Sequence, residues 1–434
     1  MNKQILRLAI PNILSNITVP LLSSVDTAIV GHLDKVAYIG AIAVGSVMFN
    51  FIYWGFGFLR MGTTGLTAQS YGGKNREEII SVLLRALFVA ALVSAALILL
   101  RQAIAGIGFY LIDAPAEVTV LAEEYFFIRI FAAPAALSLY AFYGWFFGMQ
   151  DAKTPLLISL VVNSVNITLD YLFVYHYGMK SDGVALGTVI AQYLGLFLAV
   201  VIFFAKYKSY LVAVPFKKIF DAVKLEKFFT VNFDIFIRTI CLVFTFSFFI
   251  AESGTFGEDI LAANSILIQL WLLLSYGIDG FAFAAESLVG KYYGMRNRTK
   301  FIAAVKYSFA WGIGLGFFYS LVYILFGNEI VSLFTSNEKV VLIAMSFFGW
   351  TIIAPVINSW SFIWDGVYLG STMTKQMRNS MLISTIAVFL PLYFLTRESL
   401  GNNSLWLAMT IFMFARGITL TLTAKKNIFN FLKT

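Results

Sequence analysis

Residues 11–31 have the sequence PNILSNITVPLLSSVDTAIVG, an apolar run of membrane-spanning length that contains two prolines and an aspartate. A carboxylate inside hydrocarbon costs a few kcal/mol, so such a residue normally faces a cavity and has a function. Pro11 and Pro20 each remove a backbone hydrogen bond and leave a place where the helix can bend. A bendable helix that holds the protonatable Asp26 predicts coupling between ion binding and movement.

The composition excludes a soluble globular protein. Of the 434 residues, 60% are apolar and 12% are charged, and the mean hydropathy is +0.83. The single cysteine, Cys241, and two histidines are too few for a disulfide framework or a zinc or haem centre. The formal net charge of +8 fits basic cytoplasmic loops better than a nucleic-acid partner. We therefore expect an integral membrane protein without a cofactor and without a removable signal peptide.

Apolar runs of spanning length recur along the whole chain. They cover approximately residues 5–31, 38–70, 79–100, 120–148, 155–176, 183–205, 228–251, 260–289, 301–326, 340–368, 380–396 and 404–424. The sequence therefore predicts an all-α integral membrane protein with twelve transmembrane helices.

The distribution of Lys and Arg predicts the orientation in the membrane. With the N-terminus inside, most basic residues fall in inner segments, and the outer loops contain only Lys35, Arg101, Lys180, Lys339 and Arg397. The positive-inside rule then places both termini in the cytoplasm of a multi-pass protein in the inner (cytoplasmic) membrane of the cell.

A long basic inner loop, residues 206–227, divides the spans into two sets of six. We predict an N-lobe over residues 1–215, a cytoplasmic linker over 216–227 and a C-lobe over 228–434. Residues 216–229 are either an amphipathic helix on the inner membrane face or a charged connection.

Two pairs of loops indicate an internal repeat. Residues 68–75 after the second span resemble residues 285–297 after the eighth, and residues 148–159 after the fourth resemble residues 370–384 after the tenth. The alternative is that small and basic residues recur at any inner loop. Because the paired loops are six spans apart on one side, we expect two parallel, pseudo-symmetric six-helix bundles with a substrate cavity between them.

Span five carries a polar stripe on an otherwise apolar helix. Asn163, Asn166 and Asp170 are spaced i, i+3 and i+7 and therefore share one face. Span six contains Gly183 and Gly187, which permit close approach of a neighbouring helix.

These residues predict a binding site in the N-lobe. We expect Asp26, Asn166, Asp170 and Thr188 to converge on one cavity that binds the coupling ion, a monovalent cation, or the substrate. The alternative is that each polar group only bonds a neighbouring helix.

The C-lobe spans contain further charged residues. Asp234 and Arg238 are one turn apart in a favourable order, which predicts an ion pair between them. Asp279 and Asp365 are candidates for lining a C-lobe cavity. The sequence contains no nucleotide-binding loop and no metalloprotease or hydrolase motif, so we predict no catalytic residues and transport driven by a gradient.

Four motifs resemble those of the multidrug and toxic compound extrusion (MATE) family, in its DinF-like branch. They are VDTAIVGHL at residues 25–33, AQSYG at 68–72, NITLD at 166–170 and WDG at 364–366. The similarity extends over essentially the whole chain. It implies two six-helix bundles that export organic cations and other amphipathic compounds in exchange for H⁺ or Na⁺.

The resemblance also implies roles for particular residues. Asp26 resembles the essential first-helix aspartate of the family, and Pro11 resembles the proline at which that helix bends. The partners of that acid in the N-lobe cation site would be Asn166, Asp170 and Thr188. Asp365 resembles the tenth-helix acid of the sodium-coupled branch. The seventh-helix glutamate of that branch has no match, because Glu252 lies too near the outer end. This argues against a sodium site in the C-lobe and favours either proton coupling or a cation in the N-lobe.

Two other functions are compatible with the sequence. A lipid-linked oligosaccharide flippase of the same superfamily would need a wide basic cavity, and the spans contain few basic residues. An intramembrane enzyme would need a nucleophile paired with a base. We expect a monomer whose aromatic and Met residues suit small, flat, cationic or amphipathic substrates.

Overall fold

The structure is a computed structural model that describes residues 1–31, 35–112 and 114–429. Within these ranges, the side chains of residues 19–24, 26, 27, 30 and 427 lie outside the description. The described chain consists of α-helices joined by short loops, with no β-strand in those ranges.

Twelve long helices follow one another along the chain. The first six are α1 (Asn2–Val30), α2 (Val36–Gly72), α3 (Arg76–Leu99), α4 (Ala116–Gly148), α5 (Lys153–His176) and α6 (Ser181–Lys206). The second six are α7 (Ala222–Gly254), α8 (Glu258–Gly294), α9 (Arg298–Ser332), α10 (Glu338–Gly370), α11 (Thr374–Leu400) and α12 (Asn403–Ala424). A short helix, Arg101–Leu111, connects α3 to α4, and one helical turn, Phe216–Ile219, precedes α7.

Each predicted span falls on one of these helices. Within the described residues, α2 to α12 are long and apolar enough to cross a membrane. Eleven of the twelve predicted spans thus meet these criteria and α1 is helical over the twelfth, so the prediction of an all-α membrane protein is confirmed. The boundary errors reach six residues, at the start of α7, at the end of α9 and at the start of α11. Helix α11 begins at Thr374 instead of residue 380, because its first turns are polar although they are helical.

The chain forms two compact units whose boundaries lie inside helices. The N-terminal unit comprises Leu14–Phe228, and the C-terminal unit comprises Met1–Ile13 together with the chain from Phe229 onward. Helices α1 and α7 therefore each contribute to both units.

The N-terminal unit is held together by a hydrogen bond from a buried tryptophan and by a close helix crossing. The buried Trp145 on α4 donates a hydrogen bond from Nε1 to the Ile79 carbonyl on α3, at 2.9 Å. Helix α4 crosses α2 at Gly144, where a Cβ atom would lie 2.3 Å from the Arg60 carbonyl oxygen. A side chain at this position would force the two helices apart.

The C-terminal unit repeats this crossing. Helix α10 crosses α8 at Gly366, where a Cβ atom would lie 2.2 Å from the Ala282 carbonyl oxygen. Tyr368 on α10 donates a hydrogen bond to the Leu420 carbonyl on α12, at 2.7 Å. The two units are thus built around equivalent helix contacts.

The chain also makes the same turn after α2 and after α8. Lys74 and Arg296 have positive φ values of 56° and 53°. Asn75 and Asn297 then cap the following helices, each accepting a hydrogen bond of 3.0 Å from the backbone N–H three residues later. The predicted repeat is confirmed here, with residues 68–75 equivalent to the last part of residues 285–297.

The second predicted pair of loops is equivalent as well. Gln150 after α4 and Thr372 after α10 have positive φ values of 66° and 54°. The backbone hydrogen bonds around them are the same, from Asp151 to Phe146 at 2.9 Å and from Met373 to Tyr368 at 3.0 Å. The two six-helix halves therefore share local geometry as well as order.

The linker before α7 is attached to α3 by a buried arginine. Arg85 is 2% exposed and pairs with Glu78 at 2.6 Å. Its guanidinium also donates to the carbonyls of Ile219 at 2.6 Å and Lys218 at 3.0 Å. The buried charge is thus satisfied by one carboxylate and two backbone oxygens.

The single amphipathic helix considered for residues 216–229 does not form. Asp221 accepts a hydrogen bond from the Lys224 backbone N–H at 3.1 Å and so caps the start of α7. The linker is a charged connection with one helical turn, held to α3 also by ion pairs of Lys218 with Glu77 and of Lys224 with Glu78.

Candidate functional site

Asn166 and Asp170 lie one turn apart on α5, and both are buried, with 2% and 0% of their surface exposed. Nδ2 of Asn166 donates to both carboxylate oxygens of Asp170 at 3.1 Å. It also lies 3.5 Å from Oγ1 of Thr188 on α6. The structure therefore brings together three of the four residues predicted for the N-lobe site.

A glycine allows α6 to approach this carboxylate. A Cβ atom at Gly187 would lie 2.1 Å from Oδ1 of Asp170, well inside van der Waals contact. The close approach predicted for Gly187 is thus observed. Asn163, from the predicted polar stripe, lies outside this group, and its Nδ2 is buried without a hydrogen bond to the described residues.

The side chains of Asp26 and Pro20 lie outside the described residues, although the α1 backbone is helical at both positions. The convergence of Asp26 with the α5 and α6 residues, and the proposed bend at Pro20, therefore stay predictions.

Two contacts nevertheless fix where the α1 backbone runs. Oγ1 of Thr18 lies 3.2 Å from Oγ of Ser159 on α5. Eleven residues further along α1, the Ile29 carbonyl accepts a hydrogen bond of 2.9 Å from the Tyr175 hydroxyl. These contacts bracket Asp26 on one helix and the Asn166–Asp170 turn on the other, so the two stretches run side by side.

Pro11 is buried, and α1 is helical on both sides of it. The neighbouring residues pack on α8 at Gly280, where a Cβ atom would lie 2.3 Å from Cγ1 of Ile13 and 2.9 Å from the Ala9 carbonyl oxygen. Because proline lacks the N–H that would bond the preceding turn, the helix is weakened beside this close contact. The hinge role of Pro11 stays a prediction.

In the C-terminal unit, Asp365 on α10 lies between two arginines. Its Oδ2 accepts hydrogen bonds from Arg416 on α12, at 2.6 Å, and from Arg238 on α7. Arg416 is 1% exposed and also lies over the rings of Phe362 and Phe412. Two guanidinium groups therefore supply the positive charge that this buried carboxylate requires.

The predicted ion pair between Asp234 and Arg238 is wrong. Asp234 instead accepts hydrogen bonds from Arg378 at 2.7 Å and from Thr374 at 2.9 Å, both on α11. Arg238 binds Asp365. The spacing of one turn allowed a local pair, but α7 directs the two side chains to different neighbouring helices.

Two further acids of this unit are also near basic groups. Asp279 on α8 is partly exposed, and its charge acts on the Arg416 guanidinium. Glu252 accepts a hydrogen bond of 2.5 Å from the Tyr393 hydroxyl and lies 3.4 Å from Arg397. Whether Asp279 and Asp365 line a transport cavity stays a prediction.

Sequence reasoning did not identify Arg378 and Arg416 as partners of the acids. The sequence did contain a signal for these pairs. An arginine inside a span needs a negatively charged partner, and these spans contain few carboxylates to choose from. No set of three His, Cys, Asp or Glu side chains in the described part of the chain is arranged to bind a metal.

Two similarly built six-helix halves, each with buried charged groups inside spanning helices, are typical of a secondary transporter. The comparisons with known proteins agree. A model of the MatE family matches residues 11–172 and 235–395. The chain therefore belongs to the MatE family and is a transporter rather than an enzyme.

Relatives cover nearly the whole chain. DNA damage-inducible protein F of Escherichia coli (strain K12) is 36% identical over 423 residues, which cover 96% of this chain and 91% of that protein. A probable multidrug resistance protein NorM of Photorhabdus laumondii is 22% identical over 435 residues, or 98% of this chain and 95% of that one.

Solved structures have the same fold. A structure described as MATE in the bent conformation matches with a TM-score of 0.89 at 19% identity, over 100% of this chain and 96% of the other. A structure described as MATE in the straight conformation matches with a TM-score of 0.87 at 20% identity, over 99% and 96%. The predicted fold, two bundles of six helices, is confirmed.

Proposed function

We propose that this transporter is an antiporter that exports organic cations and other amphipathic compounds in exchange for cations, with H⁺ favoured over Na⁺. The observation that carries the proposal is the buried carboxylate and amide of Asp170 and Asn166, with the partly buried Thr188 hydroxyl beside them. Helix α5 runs beside the stretch of α1 that contains position 26. Acids inside a membrane-spanning bundle mark ion pathways.

In the proposed cycle, the charged Asp26 and Asp170 attract either the cationic substrate or the coupling ion. Protonation of Asp26 from outside removes the charge that holds the substrate. Helix α1 then bends near Pro11, and the substrate leaves. The empty, protonated carrier turns inward and releases its proton to the cytoplasm.

The membrane potential can drive this exchange only if the site carries more than one carboxylate. Each proton that enters gains about 2.3 kcal/mol per 100 mV of membrane potential. Export of one monovalent cation for one proton cancels this gain and leaves only the pH difference, about 1.4 kcal/mol per pH unit. A site with both Asp26 and Asp170 carries a second charge and restores the electrical contribution.

The choice of proton over sodium is supported by the surroundings of Asp365. A sodium ion at this carboxylate would have to displace the guanidinium groups of Arg238 and Arg416, which already pair with it. These groups have lost most of their water on folding, so leaving them without a partner would be costly. In the N-terminal site the carboxylate of Asp170 instead accepts a hydrogen bond from the neutral amide of Asn166.

The oligosaccharide flippase is the less favoured alternative. Such a protein needs basic groups available for phosphate, whereas Arg238 and Arg416 bind Asp365 and Arg85 binds Glu78. We further propose a monomer in the inner membrane with both termini in the cytoplasm.

The test is dye efflux from vesicles under an imposed pH gradient or an imposed sodium gradient, with the parent protein and Asp26→Asn. We expect efflux that follows the pH gradient in the parent and is abolished in the variant. Glu338→Gln is the matched control, because this exposed carboxyl lies in the first turn of α10.

Two results would contradict the proposal. Efflux that requires sodium and ignores pH would exclude proton coupling. Normal efflux by Asp26→Asn would remove Asp26 from the mechanism.

A further inference from the structure

An apolar groove of about 570 Å³ opens on the surface of the C-terminal unit, between α8, α9 and the first turn of α1. Phe281 of α8 and Trp311 of α9 stack across it with their rings 6.0 Å apart and nearly parallel. Asn2 accepts a hydrogen bond of 3.2 Å from Trp311 Nε1 and gives the groove one polar end. The groove is therefore amphipathic along its length.

Gly314 creates part of this space. It lines the groove, and no heavy atom lies within 4 Å of a Cβ atom built on it. The exposed rings of Trp311, Tyr307 and Phe318 form the adjacent wall. Exposed rings on a spanning helix are available to the acyl chains, and Trp and Tyr are the residues that membrane proteins place near the headgroups.

In the two chain segments next to the polar end of the groove, every charged side chain is basic. Residues 1–10 and 291–307 contain no Asp or Glu. Their basic side chains are Lys3, Arg7, Lys291, Arg296, Arg298, Lys300 and Lys306. The Lys3 and Lys300 side chains are exposed.

Two of these exposed lysines lie next to the groove lining, one along the chain and one along α9. Lys3 follows Asn2 directly. Lys300 precedes Tyr307 by seven residues and lies on the same face of α9, about 10 Å nearer the helix start. A negatively charged headgroup at this end would meet two ammonium groups while its acyl chain lies along the aromatic wall.

We propose that this groove binds one anionic phospholipid, with the acyl chain against Phe281, Trp311 and Phe318 and the phosphate between Lys3 and Lys300. Basic pockets between spanning helices recognise such headgroups by charge, and the apolar groove adds the chain contact. The proposal depends on the membrane location of the protein and not on the coupling ion or the exported compound.

Lipid retention measured by native mass spectrometry tests this inference. The detergent-purified parent is incubated with phosphatidylglycerol or with phosphatidylcholine of the same acyl chains. We expect the parent to retain phosphatidylglycerol in preference. Lys300→Gln should weaken that retention about fivefold, which corresponds to about 1 kcal/mol for one lysine near a charged headgroup.

Gly314→Leu tests the groove itself. The leucine enters open space and replaces a helical glycine, so the fold should be kept while the acyl chain is excluded. We expect this variant to lose bound phosphatidylglycerol with an unchanged unfolding temperature. Equal retention of both lipids by the parent would overturn the charge recognition, and full retention by Gly314→Leu would overturn the assignment of the groove.

Discussion

Arg416 on α12 donates a hydrogen bond of 2.6 Å to Asp365 on α10, and both side chains are buried. Arg238 from α7 binds the same carboxylate oxygen. Three helices of the C-terminal unit therefore meet at one negative charge, and that charge keeps two desolvated guanidinium groups in place.

Asp365→Asn should destabilise the protein by about 3–5 kcal/mol, because it leaves buried positive charge without compensation. Thermal unfolding in detergent measures this effect. Glu338→Gln changes an exposed carboxyl in the same way and should stay within about 0.5 kcal/mol of the parent. Equal unfolding temperatures for the two variants would show that the charge of Asp365 is not needed to hold the arginines.

Gly187→Ala should impair both packing and transport. The new methyl group would meet Oδ1 of Asp170, so α6 or the carboxylate must move, at a cost of about 1–3 kcal/mol. Dye efflux and thermal unfolding are the measurements. Gly106→Ala is the control, since an added Cβ atom meets nothing within 4 Å at that helical position. If the two variants behave alike, the contact at Gly187 is not as tight as described.

The loop between α4 and α5 should make stability depend on pH in the acid range. Burial alone would raise the pKa of Asp151, but hydrogen bonds from Lys206, Thr154 and Tyr207 lower it below its usual value. A lowered pKa stabilises the folded state above the unfolded pKa, about 3.9 for Asp. The contribution is lost as the pH falls through the folded pKa.

Asp151→Asn should therefore cost about 1–2 kcal/mol at neutral pH, and the difference from the parent should shrink as the pH drops below about 4. Unfolding midpoints measured across this range test the sign. A difference that grows with acid would mean that the carboxylate is not stabilised by these donors.

Most of the fold could be predicted from the sequence, because each span is a long apolar run and the loops carry the charge. The difference at Thr374 has a physical cause: the polar first turns of α11 are helical but do not resemble a span. The repeat was visible in Lys74–Asn75 and Arg296–Asn297 because a left-handed turn followed by an Asn cap limits the residues that fit.

The site could be predicted only in part. The spacing of Asn166 and Asp170 placed both on one face of α5, and helix geometry alone gives that contact. The pairing of Asp234 with Arg378, and of Asp365 with Arg416, depends on how distant helices pack. A periodic pattern along one helix carries no information about such partners.

The first thirteen residues belong to one compact unit and the rest of their helix to the other. Gln4 is hydrogen bonded to Tyr292, and Ile13 packs at Gly280. An engineer who severs the chain in the loop after α6 would thus produce two fragments of which the first carries a helical end that belongs to the second. Only two breaks together, after Ile13 and after Phe228, would follow the boundaries of the two units.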